Sequence, residues 1–297
     1  MGAQFVPFIW KVEGYPLETY ILPFAKSIVY LLEGFILLWV AKVLYGALFR
    51  RVDLLHELFE NNNHALAVST CGYLIAICIA LGGALSGPST GWISDLTGIA
   101  LYGLVSIVIM ILAGFLCEKV LLPHFNNTKE IVQDHNMGTA FVEAGLHIAN
   151  GLIVLAIFQG TGSLLSGLVF WALAQVLLLV AGRLYEGVTP HNVHSELERD
   201  NAAVGLAFCG VLIGFGNIIS VAVAGDFIGW QEGIVTFFID ALFGLAVLLL
   251  IKKITVLLLA SGVSLSDEQT EETPNIGAGL VEALGYIGGS MLVIWVL

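Results

Sequence analysis

Two glutamates occupy matched places in two copies of one apolar segment. Residues 136–144 read Asn-Met-Gly-Thr-Ala-Phe-Val-Glu-Ala, and residues 275–283 read Asn-Ile-Gly-Ala-Gly-Leu-Val-Glu-Ala. Glu143 and Glu282 are therefore 139 residues apart, each within an otherwise apolar stretch. A carboxylate at membrane depth costs about 2.5–3.5 kcal/mol on insertion scales, so keeping two at equivalent positions indicates a shared structural or functional role.

The surroundings of Glu143 are suited to proton or cation chemistry. One helix face carries four polar residues at helical spacing, namely Thr139, Glu143, His147 and Asn150. The second copy has Ala278, Glu282, Tyr286 and Gly289 at these places, so only the glutamate is shared. A buried carboxylate can bind and release a proton or hold a cation, and a histidine one turn away can act as its relay partner.

We therefore hypothesise that Glu143 and Glu282 flank an internal axis and form one proton- or cation-handling site. The polar neighbours expected there are His147, Asn150, Tyr286 and Asn217. The alternative is that both glutamates are protonated and hydrogen-bond across helices only to fix packing. Glu33 and Asp240 also fall within predicted spans, but lack acidic mates in the repeat and are secondary candidates.

Four asparagines and a His/Glu pair recur along the chain. Helix caps are predicted at Asn63, Asn136, Asn201 and Asn275, because an asparagine at a helix start accepts a hydrogen bond from a free backbone N–H.

His56 and Glu60 recur as His194 and Glu198, which could bind a metal only if the fold brings both pairs together. We expect no metal, no cofactor and no enzyme activity, since HExxH, GxSxG and phosphate-loop patterns do not occur.

Composition identifies a membrane protein. Hydrophobic residues make up 58% and charged residues 11% of the chain, with a mean hydropathy of +0.93, whereas soluble domains carry about 25% charge. Eight spans of sufficient length can be placed, at approximately 22–47, 63–86, 93–117, 136–159, 163–185, 201–224, 233–251 and 275–297. The net charge of −12 argues against nucleic acid as a partner.

The basic residues predict how the chain is threaded. Connections after the odd spans, with the adjoining span ends, hold nearly all of them: Lys42, Arg50, Arg51, Lys119, Lys129, Arg183, Arg199, Lys252 and Lys253. The positive-inside rule makes that side cytoplasmic and puts both termini on the outer side. Short outer connections are expected near Gly87-Pro88 and residues 160–162. The four cysteines fall in or beside spans and are expected to be packing residues.

The chain aligns with itself at an offset of 138 to 139 residues, for example Cys71-Gly72 with Cys209-Gly210. This predicts an all-α protein built as two four-helix repeats, residues 1–160 and 161–297. Because each repeat has an even number of spans, both have the same orientation and a pseudo-twofold axis along the membrane normal is expected. Small residues at helical spacing in the even spans predict an inner ring of even helices, with the odd helices facing lipid.

One combination of motifs resembles a known family. It comprises the N-x-A or N-x-G helix starts, Thr189-Pro190-His191-Asn192 followed by Asn201, and residues 203–210. These resemble the YjfL-like family of bacterial inner-membrane proteins, a domain of unknown function, although the first half has Arg51-Val52-Asp53 in place of Thr189-Pro190-His191. The resemblance implies a multi-pass inner-membrane protein without an established activity, linked by genomic context to envelope-stress proteins and peptide-ligase-like enzymes.

Two classes of function remain open on the sequence. A proton- or cation-handling transporter or channel is favoured, because duplicated bundles commonly build such sites at midplane. The alternative is a non-enzymatic scaffold that recruits a cytoplasmic envelope-stress or ligase-like protein. Helices with small faces also permit a homo-oligomer.

Overall fold

Eight long helices dominate the structure, a computed structural model that describes residues 18–86, 89, 91–122, 126–160 and 162–296. All eight are long and apolar enough to cross a membrane. They are α1 (Glu18–Leu44), α2 (His64–Leu85), α3 (Trp92–Val120), α5 (Met137–Gln159), α6 (Leu164–Val188), α8 (Ala202–Val223), α9 (Trp230–Leu259) and α11 (Ile276–Val296). The all-α membrane fold predicted from the sequence is confirmed. The expected turn at Gly87-Pro88 and the central residue of the turn at 160–162 lie outside the described residues.

Short helices join the long ones at one end of the bundle. They are α4 (Asn127–Val132), α7 (Val193–Glu198) and α10 (Leu265–Thr270), while two π-helical turns, Tyr45–Arg50 and His56–Glu60, stand in the first connection. The chain is thus a series of four hairpins, each with an outer helix, a short connecting segment and an inner helix. The inner helices are α2, α5, α8 and α11.

Asparagines begin the inner helices and also join neighbouring hairpins. Asn63 accepts a hydrogen bond from the N–H of Leu66, and its Nδ2 donates to the carbonyl of Ile131 in the next hairpin. In the same way the side-chain amide of Asn136 reaches Leu197, and that of Asn201 reaches the carbonyl of Gln269. Each of these caps therefore stabilises its own helix and fixes the next hairpin against it.

The inner helices form a row, which corrects the expected ring. Extended contacts run from α2 to α5, from α5 to α8 and from α8 to α11, whereas α2 and α11 make no comparable contact within the described residues. In the most apolar 18 residues of each helix, 44–67% of the residues are buried in the inner helices and 11–44% in the outer helices. The even helices thus lie inside the bundle and the odd helices outside, although α11, at one end of the row, is no more buried than α3.

Glycines allow the inner helices to approach closely. A Cβ added to Gly145 would lie 2.7 Å from Cα of Cys209, and one added to Gly72 would lie 2.6 Å from Cα of Ala144. Such distances exclude any side chain unless the helices separate. Because lipid provides no hydrophobic drive between helices, this close backbone packing is what holds the row together.

Candidate functional site

Glu143 is held in a cage of polar side chains. Its carboxylate is only 4% exposed and accepts hydrogen bonds at Oε1 from the hydroxyls of Tyr45, at 3.0 Å, and Ser69. The Nδ2 atom of Asn127 lies 3.5 Å from Oε2. Donors from α2, α4 and the end of α1 thus converge on one carboxylate of α5. Such hydrogen bonds satisfy the carboxylate oxygens and offset part of the cost of their burial.

His147 lies one turn further along α5 and completes the cage. Its Nε2 is 3.5 Å from Oε1 of Glu143, and both side chains are almost fully buried. The imidazole packs edge-on against the ring of Tyr73, with centroids 5.2 Å apart, and against Tyr45 at 6.0 Å. A carboxyl group and an imidazole this close together can share or exchange a proton, because each has a site that binds one.

Local structure explains why these groups meet. Tyr45 begins a π-helical turn at the end of α1, a widened geometry that is frequent at functional sites. Asn127 is the first residue of α4, whose start is capped by Asn126. A small cavity of about 10 Å³ lies between Asn127, Glu143 and Leu146, about the volume that one water molecule requires.

The polar face of α5 continues beyond His147. Asn150 is buried and accepts a hydrogen bond from the side-chain amide of Gln175 on α6, while its own Nδ2 donates to the carbonyl of Leu146. Thr139 lies at the opposite end of the face and is also fully buried. The stripe predicted from sequence spacing therefore lies inside the bundle, with contacts to more than one neighbouring helix.

Glu282 has a different environment. It lies on α11, where Oε1 is 2.8 Å from Nζ of Lys252 on α9 and Oε2 accepts a hydrogen bond of 2.8 Å from the amide of Gln269 on α10. The Lys252 ammonium also lies 5.2 Å from the ring centroid of Tyr286. Glu282 is therefore held by an ion pair with Lys252 and a hydrogen bond from Gln269.

The two glutamates do not meet at one point. Glu143 contacts side chains of the first two hairpins, whereas Glu282 contacts side chains of the fourth, and α8 packs between α5 and α11. The row of inner helices is the reason, because it separates helices that a closed ring would bring together. The structure thus presents two separate carboxylate environments in place of the shared site that the repeat suggested.

The other candidates are dispersed. Asn217 donates a hydrogen bond of 3.0 Å to Ser290 between α8 and α11, away from Glu143. Glu33 lies part-buried on α1. Asp240 is exposed on α9 and lines a cavity of about 110 Å³ at the other end of the bundle, together with Ser166 and Thr236.

The possible metal ligands are not assembled. His56 pairs with Glu60 at 3.1 Å, whereas His194 lies 3.4 Å from Glu186, and Glu198 is exposed on α7. Among the residues that the structure describes, no group of three or more His, Cys, Asp or Glu side chains is placed to hold a metal ion. The two His/Glu pairs lie in different connecting segments and do not form a common site.

His191 joins the connection after α6 to α10. Its Nδ1 is 2.8 Å from the hydroxyl of Ser266. Burial lowers the pKa of this imidazole, and the negative charges of Glu282 and Glu196 oppose that shift in part. The motif that carried the family resemblance therefore touches the segment that supports Glu282.

Several residues of the site could not be identified from the sequence pattern. Tyr45, Ser69 and Asn127 are brought to Glu143 only by tertiary packing, and Asn127 belongs to a short polar stretch that has no apolar periodicity. Lys252 offers a signal, since it is a cation at the predicted end of the seventh span. Lysines inside spans commonly pair with a carboxylate, and the partner of Lys252 is Glu282.

Comparisons with known proteins give a family without an assigned activity. The Domain of Unknown Function (DUF350) matches the chain twice, over residues 18–158 and 160–297, which fits a tandem duplication. The UPF0719 transmembrane protein of Aquifex aeolicus (strain VF5) is 25% identical over 278 residues, covering 90% of this chain and all of that protein. No solved structure matches the chain.

Proposed function

We propose that this chain, which belongs to the DUF350 family of transmembrane proteins, moves protons across the bacterial inner membrane by protonation and deprotonation of Glu143. The observation that carries the proposal is the 3.5 Å approach of His147 Nε2 to Glu143 Oε1 in the interior of the bundle. Ionisable groups within membrane spans commonly mark ion or proton pathways.

The partners of Glu143 support a proton as the transported species. Hydroxyls of Tyr45 and Ser69, the amide of Asn127 and the imidazole of His147 can all donate hydrogen bonds. Such a set accommodates both states of a carboxyl group, because hydroxyls rotate and imidazole exchanges its proton.

A route along α5 is consistent with this chemistry. The cavity beside Asn127 leads to Glu143, His147 follows one turn later, and the Asn150 and Gln175 pair follows His147. The wider cavity at Asp240 lies at the far end of the bundle. In this account Glu282, held by its ion pair with Lys252, supports the fold and does not exchange protons.

The test is proton flux in liposomes that contain the purified protein. A potassium gradient with valinomycin sets the membrane potential, and a trapped pH dye reports proton entry. We expect flux with the natural chain, loss of flux with Glu143→Gln, and retained flux with Glu282→Gln as the matched control. Elution of each variant as a single species in detergent shows that it is folded.

Two results would overturn the proposal. Proton flux that is no higher than in empty liposomes would leave the scaffold as the better function, and binding of a cytoplasmic partner would then be measured. Equal flux with Glu143→Gln and the natural chain would show that Glu143 carries no proton.

A further inference from the structure

Successive inner helices contact each other through the same positions. Positions in each inner helix are numbered by their distance from the cap asparagine, which is position zero. Position nine of one inner helix packs against position eight of the next. The pairs are Gly72 with Ala144, Gly145 with Cys209, and Gly210 with Ala283. The hairpins are thus related by one repeated step, a head-to-tail interface that does not close on itself among the residues that the structure describes.

Other positions repeat the same step. The fifteenth residue of one helix faces the thirteenth of the preceding helix, as in Gly151 against Ala76 and Gly216 against Ala149. Near the caps, Gly205 faces Gly138 and Gly279 faces Ala203. The interface is therefore defined along most of its length.

Two faces are left over at the ends of the row. On α2, the positions that would meet a preceding helix include Cys71 and Cys78, which are exposed. On α11, the positions that would meet a following helix include Gly277 and Leu284, which are exposed, and Gly288, which is half-buried. A repeated step that ends in this way could continue into a second copy of the chain, α11 of one copy meeting α2 of the next.

A second observation identifies the same open end. The side-chain amides of Asn63, Asn136 and Asn201 each donate to a carbonyl of the following hairpin. The side-chain amides of Asn136 and Asn201 also donate to a glutamate of their own connecting segment, Glu130 and Glu196. Asn275 donates to the equivalent Glu268, at 2.9 Å in an exposed position, but to no backbone carbonyl of the described residues.

One residue breaks the repeat at that end. The ninth position is glycine in α2, α5 and α8, but it is Leu284 in α11, where the side chain is 52% exposed. Its Cδ1 also covers Gly288, lying 3.4 Å from where a Cβ of that glycine would be. In the other three helices even one added carbon would lie within 3 Å of the next helix.

We infer that Leu284 blocks a head-to-tail interface for a second copy of this chain, and so limits the row to four hairpins. The leucine faces lipid at no cost and leaves no room for Cys71 of another copy. Natural proteins use such blocking residues against unwanted self-association. The inference is independent of proton transport.

The experiment uses disulfide cross-linking in liposomes. The parent variant replaces Cys71 and Cys117 by Ser, keeps Cys78 and Gly288, and carries Met291→Cys. The repeat places Met291 and Cys78 together between copies, as it places Asn217 and Ser290 together between α8 and α11, where their side chains lie 3.0 Å apart. Adding Leu284→Gly is expected to convert most of the monomer into a ladder of dimers and larger species on oxidation. The parent with Leu284 is expected to stay monomeric.

Matched variants separate this idea from random collision. Leu284→Ala should stay monomeric, because a single Cβ already clashes. Changing Cys78 to Ser should abolish the ladder. Phe in place of Ser at position 71 should abolish it too, because a large side chain on α2 would then block the contact with position 284 of the other copy. Ile239→Cys in place of Met291→Cys, on the exposed face of α9, reports chance encounters.

Each other outcome overturns the inference. Equal ladders with and without Leu284 would show that the leucine blocks nothing. Folded Leu284→Gly protein that gives no ladder above the Ile239→Cys control would show that the two end faces do not fit each other. Energy transfer between two labelled populations of Leu284→Gly, without added cysteines, repeats the measurement independently of disulfide geometry.

Discussion

Ser69 on α2 donates its hydroxyl hydrogen bond to Oε1 of Glu143 on α5, across the contact between the first two inner helices. The bond links the packing of the row to the chemistry of the carboxylate. Tyr45 donates to the same oxygen and also lies 2.7 Å from the Ser69 hydroxyl, so the three groups form one buried network.

Removing the Ser69 hydroxyl should destabilise the protein. Ser69→Ala leaves a buried carboxylate with one donor fewer, which costs about 1–3 kcal/mol. Thermal unfolding in detergent measures the loss. Ser106→Ala is the matched control, because that buried hydroxyl bonds only the carbonyl of Tyr102 in its own helix. Equal losses in the two variants would contradict the network.

The ion pair of Glu282 should show strong coupling. Lys252→Met leaves a buried carboxylate without its cation and should cost about 3–5 kcal/mol. The double variant Lys252→Met with Glu282→Gln should recover a large part of that loss, since no charge remains unpaired. A double-mutant cycle from denaturation midpoints measures the coupling, and additive losses would disprove the pair.

Close helix packing makes a third prediction. Gly145→Ala places a methyl group 2.7 Å from Cα of Cys209 and should cost about 1–3 kcal/mol through forced separation of α5 and α8. Gly98→Ala on α3 meets nothing within 4 Å and should stabilise its helix, because alanine is favoured over glycine by about 1 kcal/mol. Losses of the same size at both glycines would argue against the packing described.

His191 should make stability depend on pH. Burial lowers the pKa of His191 in the folded protein, so below the unfolded pKa of about 6.5 the unfolded chain binds more protons. Stability should therefore be full above that pH and fall on acidification. His191→Gln should flatten the decline between about pH 7 and pH 5, while the same change at the exposed His64 should not. Melting curves recorded across that pH range measure the loss of stability in each variant.

Much of the fold is predictable from local signals. Eight spans, four asparagine caps and the small faces of the even helices all follow from composition, spacing and capping chemistry. Helix ends extend further than the apolar pattern indicates, as in α9, which runs from Trp230 to Leu259. Apolar runs identify the part in lipid, whereas helices continue into the interface until a cap or a break ends them.

The candidate site is only partly predictable. Helical spacing places Glu143 and His147 on one face, but Tyr45, Ser69 and Asn127 come from distant parts of the chain. The expected ring of even helices was wrong, because a duplication makes the contacts between successive hairpins equivalent but does not determine whether the last inner helix returns to the first. Closure depends on the angle of each step, which depends in turn on glycine contacts such as that of Gly145 with Cys209.

The most direct test of the central claim is the infrared carboxyl band of the protein in lipid, recorded as the pH is changed. Protonation of a buried glutamate produces a carboxylic C=O absorption that disappears on deprotonation. We predict a titrating band that is absent in Glu143→Gln and present in Glu282→Gln. A titrating band that survives in Glu143→Gln, or no titrating buried carboxyl at all, would contradict the account.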